Sequence, residues 1–371
     1  MGAACSCEQD SDDSVVVGKD SSKKSDIIHF FMLGIEGAGK TTIIRQLKCL
    51  CTQKPNNYQM YDENWKLVPT EKVFASSELD DLKKVVRINL IIALASLAER
   101  TMVRGAIIQN KAAMEKIMSK SEEIHHSGKD IYDFHNRIET VFGDHIVELL
   151  ADPEIAKTLE HMNSTVGLKV EDGTLYFIKE SSKILNIFND AYQLSPDDIV
   201  HVRKPTVTFK SYRFRIKQLR VEIHDMGGQK TELVKVPEFM KQFLTSDGHC
   251  FLLYVSSMAG FHEPDKENRD KTVLDKSLKI MDIVLTLDGV DECSLMLFIN
   301  KQDRFEEIVR EKSRTVEGQE EINRLLGKYV REGKKQKSEN FEHLKDAVAT
   351  RFKEVIKPRR KGNSSKGYYI K

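Results

Sequence analysis

The segment Gly34-Ile35-Glu36-Gly37-Ala38-Gly39-Lys40-Thr41 restricts the fold more than any other part of this chain. It satisfies the spacing G-x-x-x-x-G-K-[ST], and it stands between an apolar run, Ile27 to Leu33, and a helical pattern carried by Ile43, Ile44 and Leu47. In that setting the glycines let backbone N–H groups converge on an anion, and the helix N-terminus adds its dipole. Lys40 supplies a point charge and Thr41 offers a hydroxyl to magnesium. The segment therefore reads as a phosphate loop, which commits the first strand to an α/β sheet.

The other strand signals are separated from it. About 145 residues, Thr52 to Pro196, hold no comparable series of strands, whereas Val85 to Ile108, Ile146 to Leu150 and Ile184 to Phe188 show helical spacing. Alternation resumes at Thr206-Val207-Thr208-Phe209 and Leu219-Val221-Ile223, and buried-strand runs follow at Cys250 to Val255 and Leu295 to Ile299. A sheet interrupted after its first strand and helix by a helical insert accounts for this order. Near the end, Phe341, Leu344, Val348, Phe352 and Val355 form one apolar helical face.

Composition excludes some classes. Lysine plus arginine (58) nearly balance aspartate plus glutamate (57) over 371 residues, so there is no basic footprint for nucleic acid. No apolar run approaches the roughly 20 residues of a membrane span. Six cysteines in a chain of this length make no disulfide framework, and the four beyond the N-terminus have no metal-ligand spacing. Charge is nevertheless uneven. Glu8 to Asp26 carries six acids and three lysines and reads as a flexible arm, while Arg331 to Lys371 carries thirteen basic residues and five acids and reads as a tail suited to solvent or an anionic membrane face. Met1-Gly2-Ala3-Ala4-Cys5-Ser6 fits myristoylation of Gly2, with Cys5 and Cys7 as thioester acylation sites. A second lipid is needed because one myristoyl chain binds membranes only marginally.

Two further motifs select the chemistry. Asn300-Lys301-Gln302-Asp303 follows the run ending at Ile299 and resembles the N-K-x-D motif of GTPases, whose aspartate accepts both guanine N–H donors. Asp225-Met226-Gly227-Gly228-Gln229 resembles the D-x-G-G-Q of a second switch. Asp198 to Thr206 resembles the first-switch pattern D-V-L-R-x-R-V-x-T. Val85 to Asn89, Asp172 to Phe177, Ser277 to Asp282, Phe305 to Glu307 and Asn340 to Val348 resemble further segments of one family. Together these resemble the α subunits of heterotrimeric G proteins over most of the chain.

The resemblance implies a P-loop, Ras-like GTPase with a mostly parallel sheet and an inserted all-α domain. Residues 1–26 would be the acylated arm, 27–51 and 198–371 the GTPase domain, and 52–197 the insert. It implies GTP or GDP as bound nucleotide, held by Glu36, Gly37, Ala38, Gly39, Lys40, Thr41 and Thr42 of the loop. Asp172, Val202, Arg203, Thr206, Asp225 and Gly228 would add contacts along the switches, and Asn300, Lys301 and Asp303 at the base. Mg²⁺ would sit on Thr41 and Thr206, with Asp225 acting through water. Arg203 becomes a built-in arginine finger and Gln229 the residue that orients the attacking water. The partners implied are a G-protein-coupled receptor, a βγ dimer and a downstream effector, at the cytoplasmic face of the plasma membrane.

Several positions depart from the family. Where α subunits read G-A-G-E-S-G-K-S, this chain places Glu36 and Gly37, so Glu36 is expected to point toward the γ-phosphate and Gln229 and to slow hydrolysis. The loop and Asn-Lys-Gln-Asp also resemble the ADP-ribosylation-factor family, which shares an acidic residue at this place, N-myristoylation and Asp-x-Gly-Gly-Gln. That family lacks the insert and the arginine finger. The T-C-A-T guanine loop is replaced by Gly333 to Glu339, and the arm and the continuation Thr231 to Pro237 differ from the surfaces the family uses for βγ. A GTP-binding membrane scaffold with little hydrolysis is the alternative reading, and a P-loop kinase would leave Asn300 to Asp303 unexplained.

Overall fold

The computed structural model describes residues 27–128, 130–161, 170–206, 209–228, 234–245, 248–327, 341–359 and 368–370. Seven strands form one sheet: β1 (Ile27–Leu33), β2 (Tyr58–Tyr61), β3 (Lys210–Ile216), β4 (Leu219–Asp225), β5 (His249–Ser257), β6 (Ser294–Asn300) and β7 (Tyr368–Ile370). Their order is β2-β3-β4-β1-β5-β6-β7. β1 lies parallel between β4 and β5, and β6 and β7 continue in parallel. Only the β2–β3 and β3–β4 pairs are antiparallel. The carboxyl ends of β1, β4, β5 and β6 therefore point to one edge, where ligands bind in open α/β sheets.

Helix α1 (Lys40–Gln53) packs on one face through Ile43, Ile44 and Leu47, against Met32, Val221, Ile223 and Val255. The other face is covered by α9 (Val236–Leu244), α10 (Val273–Val284), α11 (Gln302–Lys312), α12 (Val316–Leu326) and α13 (Phe341–Arg359). α13 buries Leu344, Ala347, Val348, Phe352 and Ile356, so the apolar face expected there forms, with Ile356 rather than Val355 completing it. Arg351 and Arg359 bind Asp275 and Asp282 of α10, the latter at 2.8 Å. Truncating Phe352, which is fully buried, should cost about 3–5 kcal/mol in denaturant unfolding; a loss below about 1 kcal/mol would mean that α13 does not seat here.

Between α1 and β3 lie α2 (Ser76–Val103), α3 (Lys111–His126), α4 (Phe142–Leu150), α5 (Pro153–Glu160), α6 (Asp172–Ile178), α7 (Ser181–Phe188) and α8 (Pro196–His201). α2 is the axis of this bundle. Val85, Ile88, Leu90, Ile91, Leu94 and Leu97 are nearly inaccessible, so the helix is buried around most of its circumference rather than on one stripe. α8 starts at a capping box in which the Ser195 hydroxyl accepts from the Asp198 N–H and the Asp198 carboxylate accepts from the Ser195 N–H. Pro196 holds its first turn.

The strand pattern differs from expectation at three places. β2 lies within the span that shows no strand signal, because its four residues, Tyr58-Gln59-Met60-Tyr61, are too few for a period and exist through pairing with β3. The strand expected at Thr206–Phe209 is β3, at Lys210–Ile216: Tyr212, Phe214 and Ile216 alternate with Ser211, Arg213 and Arg215. The basic residues mask that alternation, and Val207 and Thr208 fall outside the described residues. β7, within the segment read as a tail, pairs Tyr368, Tyr369 and Ile370 with Leu295, Met296 and Leu297.

Candidate functional site

The loop between β1 and α1 brings its glycines and Lys40 to the carboxyl edge of the sheet. Lys40 is 6% exposed, and its Nζ donates to the carbonyls of Gly34 (2.7 Å) and Ile35 (3.1 Å). Burial lowers its pKa to about 8, with Asp225 opposing the shift, so the ammonium keeps its charge at neutral pH. Gly39 adopts φ 101°, and a Cβ there would come within 2.1 Å of Asn300 Nδ2. That amide donates to Ala38 O at 3.0 Å, which ties the end of β6 to the loop. Lys301 follows with φ 62°, and Asp303 lies exposed in the first turn of α11. Phosphate and base motifs, some 260 residues apart in sequence, share one rim. Thr42 lies half-buried in the first turn of α1.

Hard oxygen donors converge next to Lys40. The hydroxyls of Thr41 and Thr206 are 2.5 Å apart, and Thr41 Oγ1 donates to Asp225 Oδ2 at 3.2 Å. Asp225 is fully buried, and burial pushes its carboxyl up to about 6 against the pull of Lys40 and Thr41. Its Oδ1 has no hydrogen-bond partner among the described residues. A buried carboxylate oxygen left unpaired beside two hydroxyls is a donor set that fits Mg²⁺.

Arg203 is held from both sides. Its Nη2 donates to Glu36 Oε1 at 2.8 Å, and its Nε lies 3.6 Å from Glu171 Oε2. Asn89 of α2 donates to the Arg203 carbonyl at 2.7 Å and accepts from the Tyr132 hydroxyl at 2.9 Å. Val202 is buried, and its carbonyl accepts from Arg45 of α1. Asp172 opens α6, and at Gly173 a Cβ would lie 2.1 Å from the His201 carbonyl, so only glycine permits α6 to abut this segment. Asn89, Tyr132, Glu171 and Arg45 escaped sequence reading as groups that set Arg203. Their contacts span up to 157 residues, and no periodicity records them.

Glu36 turns its carboxylate to Arg203, and its backbone N–H donates to Gly228 O at 3.1 Å. A Cβ on Gly228 would fall 2.4 Å from Glu36 N and 2.6 Å from Lys40 Nζ, so the segment that follows β4 lies directly on the loop. In this conformation Gly228 meets the loop through its carbonyl. Gly37 lies next to it with φ 79°, and Ala38 is buried. Gln229, Gly2, Cys5 and Cys7 lie outside the described residues, as do Gly333 to Glu339.

The chain matches the model of the family described as G-protein alpha subunit over residues 8–370. It is 20% identical over 292 residues to a guanine nucleotide-binding protein alpha-2 subunit of Caenorhabditis elegans, covering 77% of this chain and 71% of that protein. It is 22% identical over 334 residues to the G(o) subunit alpha of Manduca sexta, covering 85% and 81%. With the alpha-15 subunit of C. elegans it shares 24% identity over 317 residues, covering 83% and 78%. These identities are low, but the match extends through loop, switches and insert: the chain belongs to the G-protein α-subunit family.

Proposed function

We propose that this α subunit binds guanine nucleotide and hydrolyses GTP slowly, as a switch between a G-protein-coupled receptor and an effector, with a βγ dimer as the partner the family generally uses. The observation that carries the reading is the convergence of Lys40, Thr41, Thr206, Asp225 and Arg203 on one loop, with Asn300 joined to it. Lys40 binds the phosphates, and Asp303 accepts the guanine N–H donors. Thr41, Thr206 and, through water, Asp225 would hold Mg²⁺, which would supply positive charge to the phosphates. Gln229 orients the water, and Arg203 neutralises charge on the phosphoryl group in the transition state. Acylation at Gly2 and at Cys5 or Cys7 anchors the chain at the cytoplasmic face of the plasma membrane.

Hydrolysis is slow in this reading because Arg203 must leave Glu36 to reach the phosphate. The Glu36 side chain is 44% exposed, and such ion pairs are worth about 0.2–1 kcal/mol. Glu36→Gly should therefore speed single-turnover hydrolysis by about 1.4- to fivefold, and an unchanged rate would remove Glu36 as its brake. The same pair favours the second reading, a GTP-bound membrane scaffold. Nucleotide content and single-turnover hydrolysis of the purified chain with Mg²⁺ decide between them. Bound GDP and measurable turnover support the switch, retained GTP supports the scaffold, and no affinity for guanine nucleotide sinks both.

A further inference from the structure

A second cluster of donors lies on the sheet face opposite α1, away from the phosphate loop. Glu222 and His224 are two residues apart on β4 and so project to the same face. His29 on β1 stands directly opposite Glu222 in the parallel register. One donor atom from each of the three lies within 4.8 Å of the other two, and His29 Nδ1 is 3.6 Å from Glu222 Oε2. His29 and Glu222 are buried.

The surroundings orient these groups. In the antiparallel register Ser211 of β3 faces His224 and Arg213 faces Glu222. The Ser211 hydroxyl is 2.8 Å from His224 Nδ1, and in the tautomer whose Nδ1–H donates to that hydroxyl the lone pair stands on Nε2. Nε2 is buried and has no hydrogen-bond partner among the described residues. Arg213 Nη2 holds Glu222 Oε1 at 2.7 Å, which leaves Oε2 toward His29. Phe209 stacks on the His224 ring at 5.8 Å, and Phe243 of α9 meets it edge-on at 5.6 Å, enclosing the cluster.

We propose that His29, Glu222 and His224 form a binding site for a divalent transition-metal ion of the Zn²⁺ type, separate from the Mg²⁺ ligands. Two imidazoles and one carboxylate suit Zn²⁺, whereas Mg²⁺ prefers all-oxygen sets. Donors about 2.1 Å from a tetrahedral ion lie about 3.4 Å apart, so modest side-chain rotation closes the 4.8 Å cluster. Ser211 and Arg213 supply the outer hydrogen bonds that fix ligand orientation. His224 directly precedes Asp225, so an ion here would brace the strand that leads into the second switch.

The test titrates the full chain with Zn²⁺ against a competing chelator in excess Mg²⁺, and with Co²⁺ for visible d–d absorption. One equivalent is expected to bind. His29→Gln and His224→Phe should each weaken Zn²⁺ by about 100-fold and abolish the Co²⁺ bands, and Ser211→Ala, which keeps all three ligands, should weaken it by about 10-fold. Glu222→Gln, which still accepts from Arg213, replaces any variant whose circular dichroism shows misfolding. Wild-type chain that takes up no stoichiometric Zn²⁺, or variants that bind it as wild type does, would overturn the proposal.

Discussion

Arg203→Ala should lower single-turnover GTP hydrolysis by about 10³-fold while leaving GTP affinity within about threefold, because an arginine supplied in cis acts on charge that develops only in the transition state. The geometry gives this expectation its content. The guanidinium reaches the loop at Glu36, and its backbone is fixed by Asn89 from the insert and through Val202 by Arg45 from α1. A group placed this way moves only its side chain to engage a phosphate. Rapid-quench hydrolysis, measured alongside fluorescent-nucleotide binding, separates the two effects. Hydrolysis within about threefold of wild type would remove Arg203 from the transition state.

Gly39→Ala should weaken guanine-nucleotide binding by about 30- to 1,000-fold. The backbone there has φ 101°, a region that costs a non-glycine residue about 1–3 kcal/mol, and the new Cβ would stand 2.1 Å from Asn300 Nδ2. Moving Asn300 away also breaks its bond to Ala38 O, worth about 1 kcal/mol. Phosphate and base contacts would be lost together because one amide joins them. Equilibrium titration with a fluorescent guanine nucleotide measures the loss, and circular dichroism confirms that the variant is folded. Affinity within threefold of wild type would mean that the nucleotide does not use this loop conformation.

The legible parts of the fold share one physical property, short sequence range. Gly34 to Thr41 announces its strand–loop–helix context because glycine conformation and side-chain chemistry act within eight residues. The helices α2, α4, α7 and α13 show themselves through apolar spacing, which a helix imposes on its own sequence. β2 and β7 are different. Their four and three residues carry no period, and each is a strand only because another strand lies beside it. β3 alternates, but arginines at its half-buried positions hide the pattern, and one of them, Arg213, lies over Trp65 beside Arg220 of β4.

The candidate site divides along the same line. Lys40, Thr41, Thr206, Asp225, Asn300 and Asp303 stand out in the sequence because the chemistry proposed for them is carried by residue type at fixed spacing. Nothing in the sequence tells where Glu36 turns. A carboxylate at the loop tip has several rotamers, and the choice is made by Arg203, 167 residues away. The sequence by itself determined which groups are available to phosphate, magnesium and guanine. Only the tertiary structure decided that Asn89, Tyr132 and Arg45 hold the arginine, that Asn300 braces the loop, and that His29 meets Glu222 and His224. Side-chain chemistry is a property of one residue, whereas pairing and orientation depend on strand register and helix packing, which bring together residues far apart in the chain.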